Sequence, residues 1–549
     1  MSNIGHIEFK QNLIWVEQIH PDGSLINIVN HDLKKQQRPT FNKIKSRIYG
    51  YGGGEFTAVG DTIFCCSGKG IFTSTEYGEE EVLTGCFGDL VSADKVWAVQ
   101  DFGDHAGWVM IDPKDYTIKS SQLESNQFIS NIAPRPGNSS DFAYIVWEAP
   151  NMPWDCSQMV LNINQVETVI NNPYGNNIQQ IDWIDSTQLA LIMQVDNWWN
   201  LVTFNIKTGQ FTKLVIRTAD INVPLWQRGQ RTMWASGQMI FFVEQTSPGC
   251  ERIIKYDLLA GKEVTVPCKY DQISQLAVNN GKLVVQGGSQ SHKGGMCLLE
   301  ENNQYDIVCD PISPEYEIRK IGDKVCGWLY EIKSPRAILI SCHGGPTGQH
   351  SLTADDKFNE FARSGILYAS LDYRGSTGRG QQFRNEIYNA WGVVDVDDCC
   401  WLIGELKSRY PSLPIFLRGN SAGALTCILT ARRIKIDGLI MRYPVIDITE
   451  LMQHTPTFER GYLKRLLPDA ITHLDLVDQM ANSSADVLIQ QGDQDPVVAI
   501  NGVNNAVKRM QQKGLSVTYY IYKGEGHGFK ANAARDIADN RELEFILSR

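Results

Sequence analysis

Two domains of different class are predicted: an all-β array of repeated units over residues 1–312, then a mostly parallel α/β sheet over residues 313–549. Three observations carry this. Strand-like runs recur roughly every 40–45 residues up to about residue 310. Beyond Pro311-Ile312-Ser313-Pro314, apolar β-runs alternate instead with helical ones. Finally, Gly419-Asn420-Ser421-Ala422-Gly423 stands between a short apolar run at 414–417 and a helix-forming run at 424–431. At 549 residues the chain can bury two separate cores.

In the first domain one unit reads 181–184, 189–193, 199–204, a turn at Lys207-Thr208-Gly209, and 211–214. The next repeats it with 232–234, 239–243, 252–256, a turn at Ala260-Gly261-Lys262, and 264–266. Similar four-strand units begin near Ile4, Gly50, Leu90, Ile129 and Ile273, which makes seven. One unit alone leaves a sheet face bare, and radial stacking covers it. The expectation is a seven-bladed β-propeller, with six or eight blades open because unit edges drift. It rests on spacing alone, since no WD or kelch signature is present. Trp198 and Trp199 read as blade core, and Glu79-Glu80-Glu81 as a solvated blade turn.

In the second domain strands are expected at 325–332, 337–342, 366–373, 415–418, 438–442, 487–491 and 516–522. Helices are expected at 356–363, 395–409, 422–432, 501–513 and 531–547, and a longer helical stretch at 448–481 is expected to help wall a pocket. Ser421 then lies at a sharp strand-to-helix turn that lifts its hydroxyl out at the carboxyl edge of the sheet. That is the nucleophile turn of an α/β-hydrolase.

A serine hydroxyl needs a base, and the base needs a group that fixes its tautomer. His527, in Gly524-Glu525-Gly526-His527-Gly528-Phe529, follows one expected strand and supplies the base. Asp493 and Asp495 follow another. Asp495 is the choice for orienting His527, because Asp493 stands so close to the strand that it suits a turn cap. Acid and base therefore project from the same sheet edge as the serine. His343-Gly344-Gly345-Pro346 follows the strand at 337–342, where glycines let backbone N–H groups come close. Gly345 and Ala422 N–H are assigned to the oxyanion, and His343 to bracing the loop. Cys342 reads as a buried thiol, and the Gly375-Ser376-Thr377-Gly378 loop as structural because it lacks a phosphate-loop ending.

The net charge of -11 is scattered, with no basic block, which argues against nucleic acid or an anionic membrane as partner. The start, Met1-Ser2-Asn3-Ile4-Gly5-His6, does not read as a secretory signal, and no apolar run reaches membrane-spanning length. Thirteen cysteines at irregular spacing, without a CxxC pair, suit reduced thiols in a cytoplasm. No metal-ligand spacing is present, and the chemistry requires neither metal nor cofactor.

Taken together these motifs resemble the prolyl oligopeptidase family of serine peptidases, nearest its acylaminoacyl-peptidase-like branch. The resemblance is carried by His343–Pro346 read as a motif, Asp372-Tyr373-Arg374-Gly375, Trp391-Gly392 with Asp395 and Asp398, the Ser421 turn, Phe458-Glu459-Arg460-Gly461-Tyr462-Leu463, Gln491-Gly492 with Asp495, and Gly526-His527. In the first domain it is carried by Tyr51-Gly52-Gly53-Gly54 and Asn151-Met152-Pro153-Trp154-Asp155. Ala424 departs from the pattern, standing where many relatives carry another glycine. The resemblance implies cleavage of short peptides or acyl-peptides through an acyl-enzyme on Ser421, with Arg460, Tyr462 and Val445 in contact with substrate. No paired-glutamate motif of the dipeptidyl type is evident. An esterase or amidase acting on a small acylated metabolite, and a binding protein with a relict hydrolase, are the rival readings. P1 preference and oligomeric state, a homo-oligomer included, stay open.

Overall fold

The computed structural model describes the chain apart from residues 1–3, 11–12, 21–22, 30–34, 38–43, 76–77, 248, 301–302, 484 and 530. The first three residues of the start read for a leader thus lie outside the described residues. The chain forms two compact units, Met1–Asp310 with Pro456–Tyr462, and Pro311–Thr455 with Leu463–Arg549. The sequence division at 312/313 contains no such inserted segment. Pro456–Tyr462 groups with the first unit because its aromatic rings pack there. Phe458 lies 5.4 Å from Tyr49 and 6.1 Å from Phe128, and Tyr462 lies 6.0 Å from Trp154 and 6.1 Å from Trp226.

The first unit is a β-propeller. Seven four-stranded antiparallel sheets follow one another, each with its strands in sequence order. They begin at Ile4, Phe56, Cys86, Gln127, Ile178, Met233 and Gln272. Strands such as Ile178–Trp183 and Gln188–Val195 are largely buried, whereas strands that come last in a sheet, such as Val166–Ile170 and Lys262–Val266, are largely exposed. Apolar side chains fill the spaces between sheets. Ile145, Met159 and Leu161 of the fourth sheet meet Leu189, Leu191 and Val202 of the fifth. The last sheet packs on the first, with Ala277, Val284, Met296 and Leu298 against Ile7, Phe9, Ile14 and Val16. Glu79-Glu80-Glu81 lies in the exposed outer strand Gly78–Thr84 rather than in a turn. The glycines after Tyr51 are steric necessities: a Cβ on Gly53 would stand 2.1 Å from Arg228 O, and one on Gly54 2.6 Å from Asp89 Cα.

The second unit holds one eight-stranded sheet. Its strands are β1 (Glu317–Ile321), β2 (Cys326–Glu331), β3 (Ala337–Cys342), β4 (Ile366–Asp372), β5 (Ile415–Asn420), β6 (Gly438–Arg442), β7 (Asp486–Gly492) and β8 (Val517–Tyr522). Their spatial order is β1-β2-β4-β3-β5-β6-β7-β8. From β4 to β8 every pairing is parallel, while β1–β2 and β2–β4 are antiparallel. Strands β3 to β6 are buried throughout or nearly so, as continuous apolar runs covered on both faces require. One core cluster joins Leu339, Tyr368, Phe416, Ile440 and Leu488 to Phe358 and Phe361 of the helix Asp356–Arg363 and to Phe545 and Ile546 of the helix Asn532–Leu547. The expected 448–481 stretch is four helices, Ile448–His454, Thr457–Leu466, Asp469–Thr472 and Leu476–Ala481. Among the described residues no helix is long and apolar enough to cross a membrane.

Candidate active site

The nucleophile turn lies where β5 hands over to the helix Ala422–Arg433. Ser421 holds φ 52 and ψ -119, a conformation that costs a non-glycine residue on the order of 1–3 kcal/mol. Its neighbours fix it there. Ser421 N–H donates to Arg442 O at 3.0 Å, and Ser421 O accepts from Ala424 N at 3.0 Å and Val445 N at 3.1 Å. The flanking glycines have no room for a side chain. A Cβ on Gly419 would lie 2.5 Å from Ala424 Cα, and one on Gly423 2.3 Å from Cys342 O. Ala424 itself is fully buried.

Strand β3 delivers the His343-Gly344-Gly345 loop to the same edge. A Cβ on Gly344 would stand 3.3 Å from Ser421 Cβ, so this loop lies directly against the serine. Gly345 takes φ 124, which a side chain would resist. The loop is braced by His343, whose ring stacks on Tyr373 at 4.2 Å. His343 Nδ1 is 2.8 Å from Gly344 O, and Nε2 is 2.7 Å from Ser376 Oγ. A carbonyl only accepts, so Nδ1 carries the proton and the Ser376 hydroxyl donates to Nε2. Burial lowers the proton affinity of His343, which keeps the ring in this neutral form. Tyr373 OH donates to His343 O at 2.9 Å and closes the brace. Ala422 opens the nucleophile helix, and first-turn N–H groups have no acceptor within their own helix.

Asp495 lies beyond the end of β7 with its side chain wholly out of solvent. Oδ1 accepts from Val497 N at 2.8 Å and Val498 N at 2.9 Å. Oδ2 accepts from Gln491 Nε2 at 3.2 Å and stands 2.9 Å from His527 Nδ1. Because an ionised carboxylate can only accept, the His527 proton sits on Nδ1 and the Nε2 lone pair is left free to act as a base. Asp493, by contrast, accepts from Gly524 N at 2.7 Å and caps that turn. Serine and histidine are linked through the end of β6. Arg442 O holds Ser421 N, and the ring of the next residue, Tyr443, lies 4.6 Å from the His527 ring.

Val445 is buried and donates to Ser421 O, and with Leu451, Val498 and Val503 it lines a cavity of about 20 Å³ in this unit. The other two residues read as substrate contacts belong to the Pro456–Tyr462 segment of the first unit. The Tyr462 ring is wholly buried beside Trp154 and Trp226. The Arg460 side chain is exposed. Sequence reasoning passed over Tyr443 as part of the site, and read Gln491 only as a member of a motif and Ser376 only as part of a structural loop. Tyr443 directly follows an expected strand, and that position at the carboxyl edge was the available signal.

Fold and site together define a class, an α/β-hydrolase with serine, histidine and aspartate gathered at the carboxyl edge of its sheet. Residues 353–549 match the sequence model of the prolyl oligopeptidase family. Dipeptidyl aminopeptidase BIII of Pseudoxanthomonas mexicana is 26% identical over 234 residues, covering 39% of this chain and 33% of that protein. The uncharacterized peptidase YuxL of Bacillus subtilis is 28% identical over 220 residues, covering 37% and 33%. The matches thus span about a third of the length of these relatives. Among solved structures, a puromycin-hydrolyzing peptidase of Mycobacterium tuberculosis has a TM-score of 0.87 at 18% identity, over 99% of this chain and 94% of that one. The acylaminoacyl peptidase of Pyrococcus horikoshii has a TM-score of 0.73 at 12% identity, over 99% and 95%. At such identities the likeness speaks for fold alone.

Proposed function

We propose that this chain is a serine peptidase that hydrolyses short peptides or acyl-peptides through an acyl-enzyme on Ser421. Ser421 Oγ attacks the carbonyl carbon, and His527 Nε2 takes its proton and returns it to the departing amine. Gly345 and Ala422 N–H receive the oxyanion. The observation that carries this reading is the Asp495 carboxylate, out of solvent, held by three protein donors and with Oδ2, shared with Gln491, facing His527. A group so fixed sets the tautomer of the base, which is what activation of a serine requires. The names of the relatives, a dipeptidyl aminopeptidase, a puromycin-hydrolyzing peptidase and an acylaminoacyl peptidase, favour amide bonds in small substrates. In the same proposal the seven four-stranded sheets are seven blades, and the boundary between blades and hydrolase falls near 312/313. The thirteen free thiols suit a reducing cytoplasm.

The test is fluorophosphonate labelling with mapping of the modified residue, alongside turnover of peptide amides and matched simple esters. A label on Ser421 that vanishes in Ser421→Ala, with amide turnover, is expected. Ester turnover with negligible amide turnover moves the assignment to an esterase, and an unlabelled Ser421 overturns the enzyme reading.

A further inference from the structure

The helix Asn532–Leu547 carries two acidic side chains that turn toward the sheet. Glu542 is wholly buried and Asp539 nearly so, and both meet arginines that are themselves buried, Arg418 on β5 and Arg442 on β6. Arg442 Nε donates to Glu542 Oε1 at 2.5 Å, and its Nη2 donates to Asp539 Oδ1 at 2.6 Å. Arg418 Nε stands 3.2 Å from Glu542 Oε2, and its Nη2 stands 3.8 Å from Asp539 Oδ1. Glu542 Oε1 also accepts from Gln490 Nε2 of β7 at 3.3 Å. Gln490 Oε1 in turn accepts from the Tyr522 hydroxyl at the end of β8. One carboxylate of the last helix thus reaches β5, β6 and β7 directly, and β8 through a single amide.

Those four strands deliver the reacting groups. Ser421 follows β5, Tyr443 follows β6, Asp495 lies beyond β7 and His527 beyond β8. The ties run on to the groups themselves. Arg442 O holds Ser421 N–H at 3.0 Å, and Tyr443, at φ 38, donates its N–H to Gln490 O at 2.8 Å. The Tyr443 ring lies 4.6 Å from the His527 ring and 5.4 Å from Phe529, and Phe529 lies 4.5 Å from Tyr522. We propose that Glu542 is a positioning residue for the reaction, setting the approach of Ser421 to His527 by holding β5 to β8 on one carboxylate. This rests on the peptidase reading above. Glu542 is buried away from solvent, so it acts through Arg418, Arg442 and Gln490 and not on the substrate. A buried ion cluster often gains little over apolar packing of the same volume, but its bonds have fixed directions. Direction is what proton transfer between side chains on separate strands demands.

Glu542→Gln keeps the shape and removes the charge. Two donors face Oε1, so the amide oxygen stays with Arg442 and Gln490, and the NH2 group turns toward Arg418. In the full-length protein we expect kcat on a peptide amide, and the rate at which a fluorophosphonate labels Ser421, to fall about 10- to 100-fold, with KM within about twofold of the parent. Ile546→Ala, on the next turn of the same helix and outside the ion cluster, removes a core side chain. It is expected to lower the melting temperature and to keep kcat within about twofold. Tyr522→Phe leaves the four charges as they are and unties only β8. It is expected to lower kcat about threefold or more at unchanged KM. With Ser421 labelled in the parent, parent-like kcat in Glu542→Gln, or in Tyr522→Phe where Glu542→Gln does not fold, overturns the proposal, and so does an equal loss in Ile546→Ala. An unlabelled Ser421 in the parent overturns the peptidase reading and the proposal with it.

Discussion

Two aspartates, two positions apart, differ in everything that matters for catalysis. Asp495 has both oxygens committed, one to Val497 and Val498 N–H and the other to Gln491 and His527, whereas Asp493 holds a turn. In Asp495→Asn the amide oxygen must stay with the two backbone donors, which turns the NH2 group toward His527. Nδ1 then has to accept, the proton moves to Nε2, and the base is blocked. The expected outcome is a loss of kcat on the order of 10³–10⁴ with little change in KM, while Asp493→Asn stays within a few-fold. Acylation rates measured on one peptide substrate decide this, and comparable losses in the two variants would sink the assignment. The sequence separated these residues only by their distance from a strand. The donors that make Asp495 special come from the chain folding back on itself, and spacing alone does not reveal them.

At the scale of elements, the nucleophile helix is tied to its neighbour by a buried charge. Asp395, in the first turn of the helix Val394–Arg409, accepts from Thr426 Oγ1 on the nucleophile helix and from Gly392 N at 2.7 Å. Burial pushes its carboxyl up to about 6, above the ~3.9 of an unfolded aspartate. The folded chain therefore holds this proton more tightly than the unfolded one. Its contribution to stability is complete below about pH 4 and is lost as the pH rises through about 6. Asn can replace both hydrogen bonds without a charge. Asp395→Asn is expected to gain about 3 kcal/mol on the parent between about pH 4 and pH 7, read from urea unfolding at each pH. A constant difference across that window would show that Asp395 is not the titrating group. Elements such as these were legible where apolar runs are continuous, as in β3 and β5. Strand β1 was missed because Glu-Ile-Arg-Lys-Ile is an edge strand, mostly exposed and paired on one side only, so it lacks the apolar run that marked the others.

At the scale of the whole chain, the repeat spacing made the four-stranded units of the propeller legible, because each sheet is one local meander. How the ring closes was not legible, since that depends on side chains almost the full unit apart. Every sheet takes its four strands from one continuous stretch, so the described strands exchange no partner between the first sheet and the last. The seam is held by packing: Met296 and Leu298 on the last sheet meet Ile7, Phe9, Ile14 and Val16 on the first. Removing one large side chain there leaves a cavity that neither sheet can fill alone, at a cost of about 2–5 kcal/mol. Leu298→Ala is therefore expected to speed amide hydrogen exchange in both the first and the seventh sheets, while strands of the fourth and fifth sheets, joined by their own core, keep the parent rates. Native-state exchange followed by peptide mass spectrometry separates the two regions. If faster exchange stays within the seventh sheet, the contact with Ile14 and Val16 is not what closes the ring, and closure must come from elsewhere in the first unit.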